Sequence, residues 1–266
     1  MFYVIIGIAV AIIVFPIVWT FMTSFKTRLD AFAIPPKILF TPVLTNYRNA
    51  LFTLNSQIPR SLLNSLIVAS AVIIVTFFLG FPAAYAYARL QFVGKRTTSF
   101  WILFARMLPP MTMVIPFFVL YVKIDVIDTY LGLILLYTTF SLPLFIWMMI
   151  SFIEDIPREL EDAAVIDGCS RVQVITRIII PLTKGGIFAA ALFCFLESWN
   201  EFLLALLLTS TDARTVQVAL YGFITTEETQ WGPLTATASI IMLPTIIMGL
   251  IFQRYIVRGM TLGAIK

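Results

Sequence analysis

The chain has 266 residues, of which 60% are apolar and 12% charged, and its mean hydropathy is +0.98. A soluble globule of this composition would lack the polar surface needed to cover itself, which excludes a soluble enzyme or binding domain. The net charge of +4 forms no basic stripe, and histidine is absent. The composition therefore indicates an all-α integral membrane protein with no nucleic-acid partner, no metal site and no active site of its own.

Six apolar stretches are long enough to cross a bilayer, for which about 20 residues are needed. Several contain proline, including Pro109 and Pro110 in the third stretch. Neighbouring helices of a bundle can satisfy the carbonyls that proline frees, so these residues predict kinks and not breaks. The stretches predict a single transmembrane domain, 1–266, with spans at about 2–25, 61–88, 100–122, 129–152, 185–209 and 234–257.

The basic residues of the connections predict the orientation in the membrane. The second and fourth connections, together with the C-terminal tail, contain ten Lys and Arg residues, whereas the odd-numbered connections contain seven. Because cytoplasmic loops carry an excess of Lys and Arg, both termini are expected in the cytoplasm.

The fourth connection, residues 154–184, contains the signals of two short helices. Pro157 suits the first turn of a helix, and Gly168 can adopt the left-handed conformation that ends one. Ser170 and Gln173 then have the spacing of a capping box, which starts a second helix. The sequence predicts a cytoplasmic helix–turn–helix.

Two interpretations of this helix–turn–helix remain open on its residues alone. It could be an amphipathic linker that rests on lipid headgroups. Alternatively, it could be a docking element, because the small side chains of Ala163 and Ala164 would let another protein approach closely.

The spacing within this connection resembles the EAA loop of permease subunits from ATP-binding-cassette (ABC) importers. In that pattern, EAA is followed by three residues, a glycine, nine residues and I-x-L-P. The chain departs from the pattern at Asp162, where the family has Glu, and at Ile180, where it has Leu. The residues that match are Ala163, Ala164, Gly168, Ile178 and Pro181, and Asp162 occupies the position of the Glu.

Three further runs resemble the carbohydrate-uptake branch of these binding-protein-dependent permeases. They are the third-span run Arg106–Pro110, the fifth-span run Trp199–Phe202 and the run Arg258–Ala264. Together they make the chain similar to the smaller, G-type permease subunit of maltose and trehalose importers. The resemblance implies the six-span type I importer fold and a multi-pass location in a prokaryotic plasma (inner) membrane.

The resemblance also implies the partners. These are a second homologous permease subunit, two cytoplasmic ATPase subunits that bind ATP and magnesium, an extracytoplasmic solute-binding protein and a sugar substrate, in contact with membrane lipid. The chain itself would bind no cofactor. The residues expected to dock the ATPase are Glu159, Asp162, Ala163, Ala164, Asp167, Gly168 and Arg171.

Two other groups of residues are candidate sites. Glu197, Asn200 and Glu201 lie in the fifth span, where charged residues usually face a cavity or a partner. They could line the sugar path, or they could bond neighbouring helices or the second permease. The fifth connection aligns with a loop that reaches the binding protein in maltose importers, or it is an ordinary exposed loop; its candidates are Tyr221, Glu227, Glu228 and Trp231.

Three other functions compete with sugar import. A permease for glycerol phosphate, a polyamine or another solute would share the EAA loop. A secondary transporter would require intramembrane ion sites and internal symmetry, and would leave the EAA spacing unexplained. An intramembrane enzyme would need a nucleophile and base, and the sequence shows no convincing pair.

Overall fold

The computed structural model describes residues 2–53 and 56–262, and within them the chain is helical, with one isolated bridge between Ile224 and Thr229 and no strand. The all-α prediction is therefore confirmed. Gly263 and Ala264, at the end of the Arg258–Ala264 run, lie outside the described residues. The helices are α1 (Phe2–Thr23), α2 (Arg28–Ala31), α3 (Thr45–Phe52), α4 (Ile58–Arg89), α5 (Lys95–Met107), α6 (Pro110–Lys123), α7 (Tyr130–Glu154), α8 (Glu159–Ile166), α9 (Arg171–Val174), α10 (Ile180–Leu182), α11 (Lys184–Asn200), α12 (Leu203–Leu208), α13 (Val216–Tyr221) and α14 (Trp231–Leu262).

Within the described part of the chain, four helices are long and apolar enough to cross a membrane. They are α1, α4, α7 and the first 21 residues of α14. Two bent pairs raise the number to six if each counts as one span: α5 with α6, bent by 96°, and the helix over 171–182 with α11, bent by 78°.

The third predicted stretch breaks at the Pro109–Pro110 pair, so the expectation of a kink was wrong there. Each proline disfavours the helical conformation of the residue before it. Leu108 is accordingly extended (φ −70°, ψ 124°), and so is Pro109 (φ −63°, ψ 128°). Two successive extended residues end α5 before α6 begins. Isolated prolines lie within continuous helices, as predicted: Pro16, Pro82, Pro116, Pro143 and Pro244.

The fifth predicted stretch is interrupted between α11 and α12. Glu201 is extended (φ −69°, ψ 126°), and its carboxylate accepts hydrogen bonds from the backbone N–H groups of Leu204 (3.0 Å) and Ala205 (3.1 Å). The first N–H groups of a helix have no partner within the helix. Glu201 therefore supplies the start of α12 with the acceptors that it lacks.

The chain divides into two compact units, residues 1–64 with 214–247 and residues 65–213 with 248–266. In the second unit, helices α4, α7, α8, α9 and α11 share one apolar core. Helix α11 packs closely on α7, since a Cβ atom at Gly186 would lie 2.3 Å from Cγ of Phe152. The buried core residues are Phe81, Ala84, Tyr85, Ala88, Phe145, Ile146, Met149, Ile153, Ile156, Ala164, Val174, Ile179, Ala190 and Cys194.

In the first unit, the end of α1 is fixed by polar contacts. Asn46 Nδ2 donates hydrogen bonds of 2.8 Å to the carbonyl oxygens of Ser24 and Lys26. The Lys26 side chain is buried, with its Nζ 4.1 Å from the ring centroid of Trp19. An ammonium group over an aromatic face is stabilised by the ring quadrupole, which lets Lys26 remain inside this unit.

In the second unit, the carboxylate of Asp128 is hydrogen-bonded to the connection that follows α12. It accepts hydrogen bonds from the backbone N–H groups of Thr211 (2.9 Å), Asp212 (3.0 Å) and Ala213 (3.1 Å), and from the Ser210 hydroxyl (2.7 Å). Burial opposes ionisation of this carboxyl, but these donors outweigh burial and hold the pKa of Asp128 well below its ordinary value. The ionised form is therefore the one that the fold requires.

We expect Asp128→Asn to lower the free energy of unfolding by about 1–2 kcal/mol at neutral pH, because the bonds to a charged acceptor are lost from a partly exposed site. The lowered pKa means that the contribution is complete above the unfolded pKa of about 3.9 and is lost as pH falls below it. Thermal melting of both proteins between pH 3 and pH 7 measures this: the difference should shrink on acidification. Asp125→Asn is the control, since Asp125 is exposed in the same connection and has a similar positive φ of 56°. A difference that persists unchanged at pH 3 would contradict the account.

Candidate functional site: the coupling loop and a polar cavity

The fourth connection forms the predicted helix–turn–helix. Helix α8 ends at Ile166, and Gly168 takes the positive φ of 86° that the turn requires. Ser170 then caps α9, and both hydrogen bonds of the capping box with Gln173 are present. We call this unit, residues 154–184, the coupling loop. The chain continues helically from α9 through a π-helical turn, Ile175–Ile179, to α10.

A buried ion pair fastens the coupling loop to the end of α4. Glu161, in α8, forms this pair with Arg89, and their side chains are 11% and 7% exposed. Arg89 Nη2 also donates to the carbonyl oxygen of Ile156 (2.7 Å), and the Tyr85 hydroxyl donates to the second carboxylate oxygen of Glu161 (2.7 Å). Because each charge has a partner and the remaining acceptors are used, this pair can stay buried, and loss of one partner would leave the other charge unpaired.

Sequence reasoning missed Tyr85, Arg89 and Glu161 as site residues. Glu161 lies three residues before Ala164, and this spacing places both on one face of α8. That face turns inward, since both residues are buried. A glutamate and an alanine do not mark an inward face in the sequence, because glutamate is seldom buried without a partner.

The opposite face of α8 is exposed and apolar in part. Ile166 lies on this face and is 86% exposed, although it is not in a predicted span. Val165, four residues after Glu161 and therefore at the edge of the inward face, is 54% exposed. Exposed apolar patches bordered by charges are typical of protein interaction sites. Of the predicted docking residues, those with exposed side chains or backbone are Glu159, Asp162, Ala163, Asp167, Gly168 and Arg171.

Ala164 requires a correction. Its side chain is only 7% exposed and belongs to the core cluster of the second unit. It cannot present a small surface to a partner protein, as the sequence interpretation supposed. Instead, its size lets α8 lie close to the core, while Ala163 keeps the outward position.

The second unit also contains a polar cavity of about 340 Å³ beside the break between α5 and α6. Arg106 forms an ion pair with Glu197 and donates to the carbonyl oxygen of Phe140 (3.2 Å). The Tyr137 hydroxyl donates to Glu201 (3.1 Å). The residues lining this polar cavity are Arg106, Leu108, Pro110, Tyr137, Phe140, Ser141, Glu197, Ser198, Glu201 and Leu204.

The three polar candidates of the fifth span therefore do not all line the polar cavity. Glu197 and Glu201 line the polar cavity, and Arg106 joins them there. Asn200 is not among the lining residues; it is exposed, and its Nδ2 donates to the carbonyl oxygen of Leu196 (2.8 Å) within its own helix. The cavity thus contains two of the three residues that the sequence singled out.

The candidates of the fifth connection lie in the first unit. Glu228 forms an ion pair with Arg28, and Tyr221 and Trp231 are both exposed. Glu227, Glu228 and Trp231 line a cavity of about 420 Å³, which Tyr221 does not line. The same cavity is lined by Arg28 and other residues of the first connection, so two connections build one surface within this unit.

The amino-acid sequence of the chain is similar to those of known transport proteins. Residues 76–262 match the family described as "Binding-protein-dependent transport system inner membrane component". The chain is 37% identical to the trehalose/maltose transport system permease protein MalG of Thermococcus litoralis, over 98% of this chain and 94% of that protein. It is 38% identical to the trehalose transport system permease protein SugB of Mycobacterium tuberculosis, over 94% and 92%.

A solved structure supports the fold independently. A chain of a bacterial ABC transporter involved in the import of alginate superposes with a TM-score of 0.80 at 22% sequence identity, over 95% of this chain and 94% of that chain. At this identity the likeness concerns the fold alone. It agrees with the type I permease fold that the EAA spacing implied.

Proposed function

Because the chain belongs to the family of binding-protein-dependent transport system inner membrane components, we propose that it is the smaller permease subunit of an ATP-driven importer of disaccharides or oligosaccharides. Membership of this family makes the chain a multi-pass inner-membrane protein that works with a binding protein and an ATPase. The chain would provide half of the translocation path and catalyse no reaction itself.

The sugar assignment is supported by the relatives. MalG and SugB are described as permeases for trehalose or maltose, and each aligns with nearly all of this chain. Permeases for glycerol phosphate or polyamines would share the EAA loop, so the sugar assignment depends on these relatives and not on the loop. Secondary transport would leave the coupling loop without a purpose.

The proposed assembly contains four kinds of component. A second homologous permease completes the path, two ATPase subunits bind beneath, and a binding protein delivers the sugar from outside. The connection before α14 is proposed to meet the binding protein. Its support is the exposed Trp231 and Glu227 on the surface that the first and fifth connections share.

The observation that carries the proposed function is the two-sided construction of α8. Its inward face is fixed to α4 by the buried Glu161–Arg89 pair, and its outward face exposes apolar and charged side chains. A helix built in this way can receive a force on one face and transmit it through the other. We infer that the outward face docks on the ATPase.

The core that α8 shares with α4, α7 and α11 would transmit the motion of the ATPase to the spans. When ATP binding closes the ATPase pair, a displaced α8 would carry the end of α4 with it, because Arg89 bonds both Glu161 and the backbone before α8. Helices α7 and α11 contribute to the same core. The elements would then move as a rigid body, which is the form that alternating access commonly takes.

This function requires the coupling loop to be cytoplasmic. The excess of Lys and Arg in the even-numbered connections together with the C-terminal tail supports that orientation, with both termini in the cytoplasm. The connection before α14 would then lie outside, on the side of the binding protein.

Uptake by the complete importer tests the function. Proteoliposomes that contain this chain, the second permease and the ATPase should accumulate labelled trehalose or maltose only with ATP and the binding protein. The matched control omits this chain from the assembly. Uptake by this chain alone on an ion gradient would favour a secondary transporter, and uptake of glycerol phosphate without sugar would move the chain to another solute class.

A further inference from the structure

The polar cavity of the second unit holds the charged groups that are hardest to explain by packing. Arg106, Glu197 and Glu201 lie in stretches predicted to cross the membrane, where ionisable residues are costly and usually mark a functional path. The cavity volume of about 340 Å³ falls within the roughly 300–1,000 Å³ of small-molecule sites. A ligand in this cavity could bind only those polar groups that the fold does not already use.

Glu201 is already committed to the fold. Its two carboxylate oxygens accept hydrogen bonds from the N–H groups of Leu204 and Ala205 and from the Tyr137 hydroxyl. The two backbone bonds cap the start of α12, and the Tyr137 bond joins Glu201 to α7. Glu201 therefore shapes the cavity but has little capacity left to bind a solute.

Two other polar atoms lack a partner. The Oε2 atom of Glu197 and the Oγ atom of Ser198 are both shielded from solvent and make no hydrogen bond. Ser198 is only 6% exposed, and both residues line the polar cavity. Buried polar groups are nearly always hydrogen-bonded, so adjacent unpaired groups in one cavity indicate a missing partner.

Arg106 is the more exposed member of its ion pair with Glu197. Its side chain is 41% exposed, whereas the Glu197 side chain that it contacts is 29% exposed. A solute that displaced the Arg106 guanidinium would reach the shielded carboxylate and the neighbouring hydroxyl of Ser198. The guanidinium could then donate to the same solute.

We propose that the polar cavity is a subsite for one ring of a neutral sugar, in which Glu197 and Ser198 bind adjacent hydroxyl groups and Arg106 moves to admit them. This inference rests on the proposed function and names the part of the path that this chain contributes. Sugar hydroxyls both donate and accept, which matches a carboxylate, a hydroxyl and a guanidinium in one place. Leu108, Pro110 and Phe140 provide an apolar wall for the carbon face of the ring.

The charges of the subsite argue against anionic solutes. The lining contains two carboxylates, Glu197 and Glu201, and one guanidinium, Arg106, so its net charge is negative. An anion such as glycerol phosphate is repelled by this net charge and a neutral polyol is not, so repulsion contributes to the choice of solute.

Direct binding tests the subsite. Labelled trehalose is equilibrated with the purified complex of both permeases and the ATPase, without the binding protein, so that only the membrane part can bind. Ser198→Ala and Glu197→Gln should each raise the Kd for trehalose about threefold to tenfold, the effect of one lost hydrogen bond. Glycerol 3-phosphate should not displace the sugar.

Thr76→Val is the matched control, because Thr76 is also a buried hydroxyl residue without a hydrogen bond but does not line the polar cavity. It should leave the Kd unchanged. The melting temperature of the Ser198→Ala complex should not fall, since a buried hydroxyl without a hydrogen bond opposes folding. Unchanged trehalose affinity in both cavity variants, or no binding by the wild-type complex, would overturn the subsite. If the wild-type importer still accumulated trehalose, the proposed function would stand; if it accumulated no sugar, that function would fall too.

Discussion

Gly168→Val is expected to reduce solute-stimulated ATP hydrolysis by at least about tenfold and to release the ATPase subunits during purification. Gly168 has a φ of 86°, in the left-handed region where a residue with a Cβ costs roughly 1–2 kcal/mol, and a β-branched residue more. Nothing lies within 4 Å of the position of an added Cβ, so no clash contributes. The whole effect would come from the turn, which would change the angle between α8 and α9 and misplace the docking face.

A matched variant separates conformation from size. Asparagine tolerates the left-handed region far better than valine does, and Gly168 is exposed with open space around it. Gly168→Asn should therefore retain most ATPase binding and uptake, and Cys169→Ser should be nearly silent. Membrane insertion should survive in all three variants. Wild-type co-purification and uptake in Gly168→Val would remove the docking role and restore the amphipathic linker.

Glu161→Ala is expected to destabilise the chain by about 3–5 kcal/mol and to uncouple ATP hydrolysis from uptake. The substitution leaves the Arg89 guanidinium buried without its carboxylate, and a buried charge without a partner is costly. It also removes the acceptor of the Tyr85 hydroxyl. Melting of the purified complex and the ratio of ATP hydrolysed to sugar imported measure the two effects.

Two comparisons make this prediction specific. Glu159→Ala removes a carboxylate from the same helix at an exposed position, and it should change the free energy of unfolding by less than about 0.5 kcal/mol. The double variant Arg89→Leu with Glu161→Leu should recover much of the lost stability, because a buried ion pair can often be exchanged for apolar side chains. Equal destabilisation by Glu161→Ala and Glu159→Ala would show that the pair does not hold the coupling loop.

The coupling loop shows which structural features of this protein can be predicted from its sequence and which cannot. Its turn could be predicted because local chemistry determines it: Gly168 permits the left-handed φ, and Ser170 with Gln173 forms a capping box. The pairing of Glu161 with Arg89 could not be predicted, since 72 residues separate them and only the packing of α8 on α4 brings them together. For the same reason, the burial of Ala164 beside an exposed Ala163 was not predictable.

In the apolar stretches, too, the sequence predicts some structural features and not others. Their composition predicts helices, and the described residues are helical. The interruptions depend on particular residues that average composition does not reveal. Two adjacent prolines after Leu108 end α5, and the side chain of Glu201 caps α12. A carboxylate inside an apolar stretch indicates function by default, yet here one of two carboxylates completes a helix terminus. Only the hydrogen-bond partners distinguish Glu201 from Glu197.

Photo-crosslinking from α8 identifies the protein that contacts the proposed docking face. A diazirine amino acid of aliphatic shape replaces Ile166, which is exposed on the proposed docking face, or Val93, which is fully exposed in the second connection on the same predicted side of the membrane. Irradiation of the assembled importer should join the ATPase subunit to position 166 and not to position 93. An importer that retains ATP-driven sugar uptake but gives no ATPase adduct from position 166 would contradict the account.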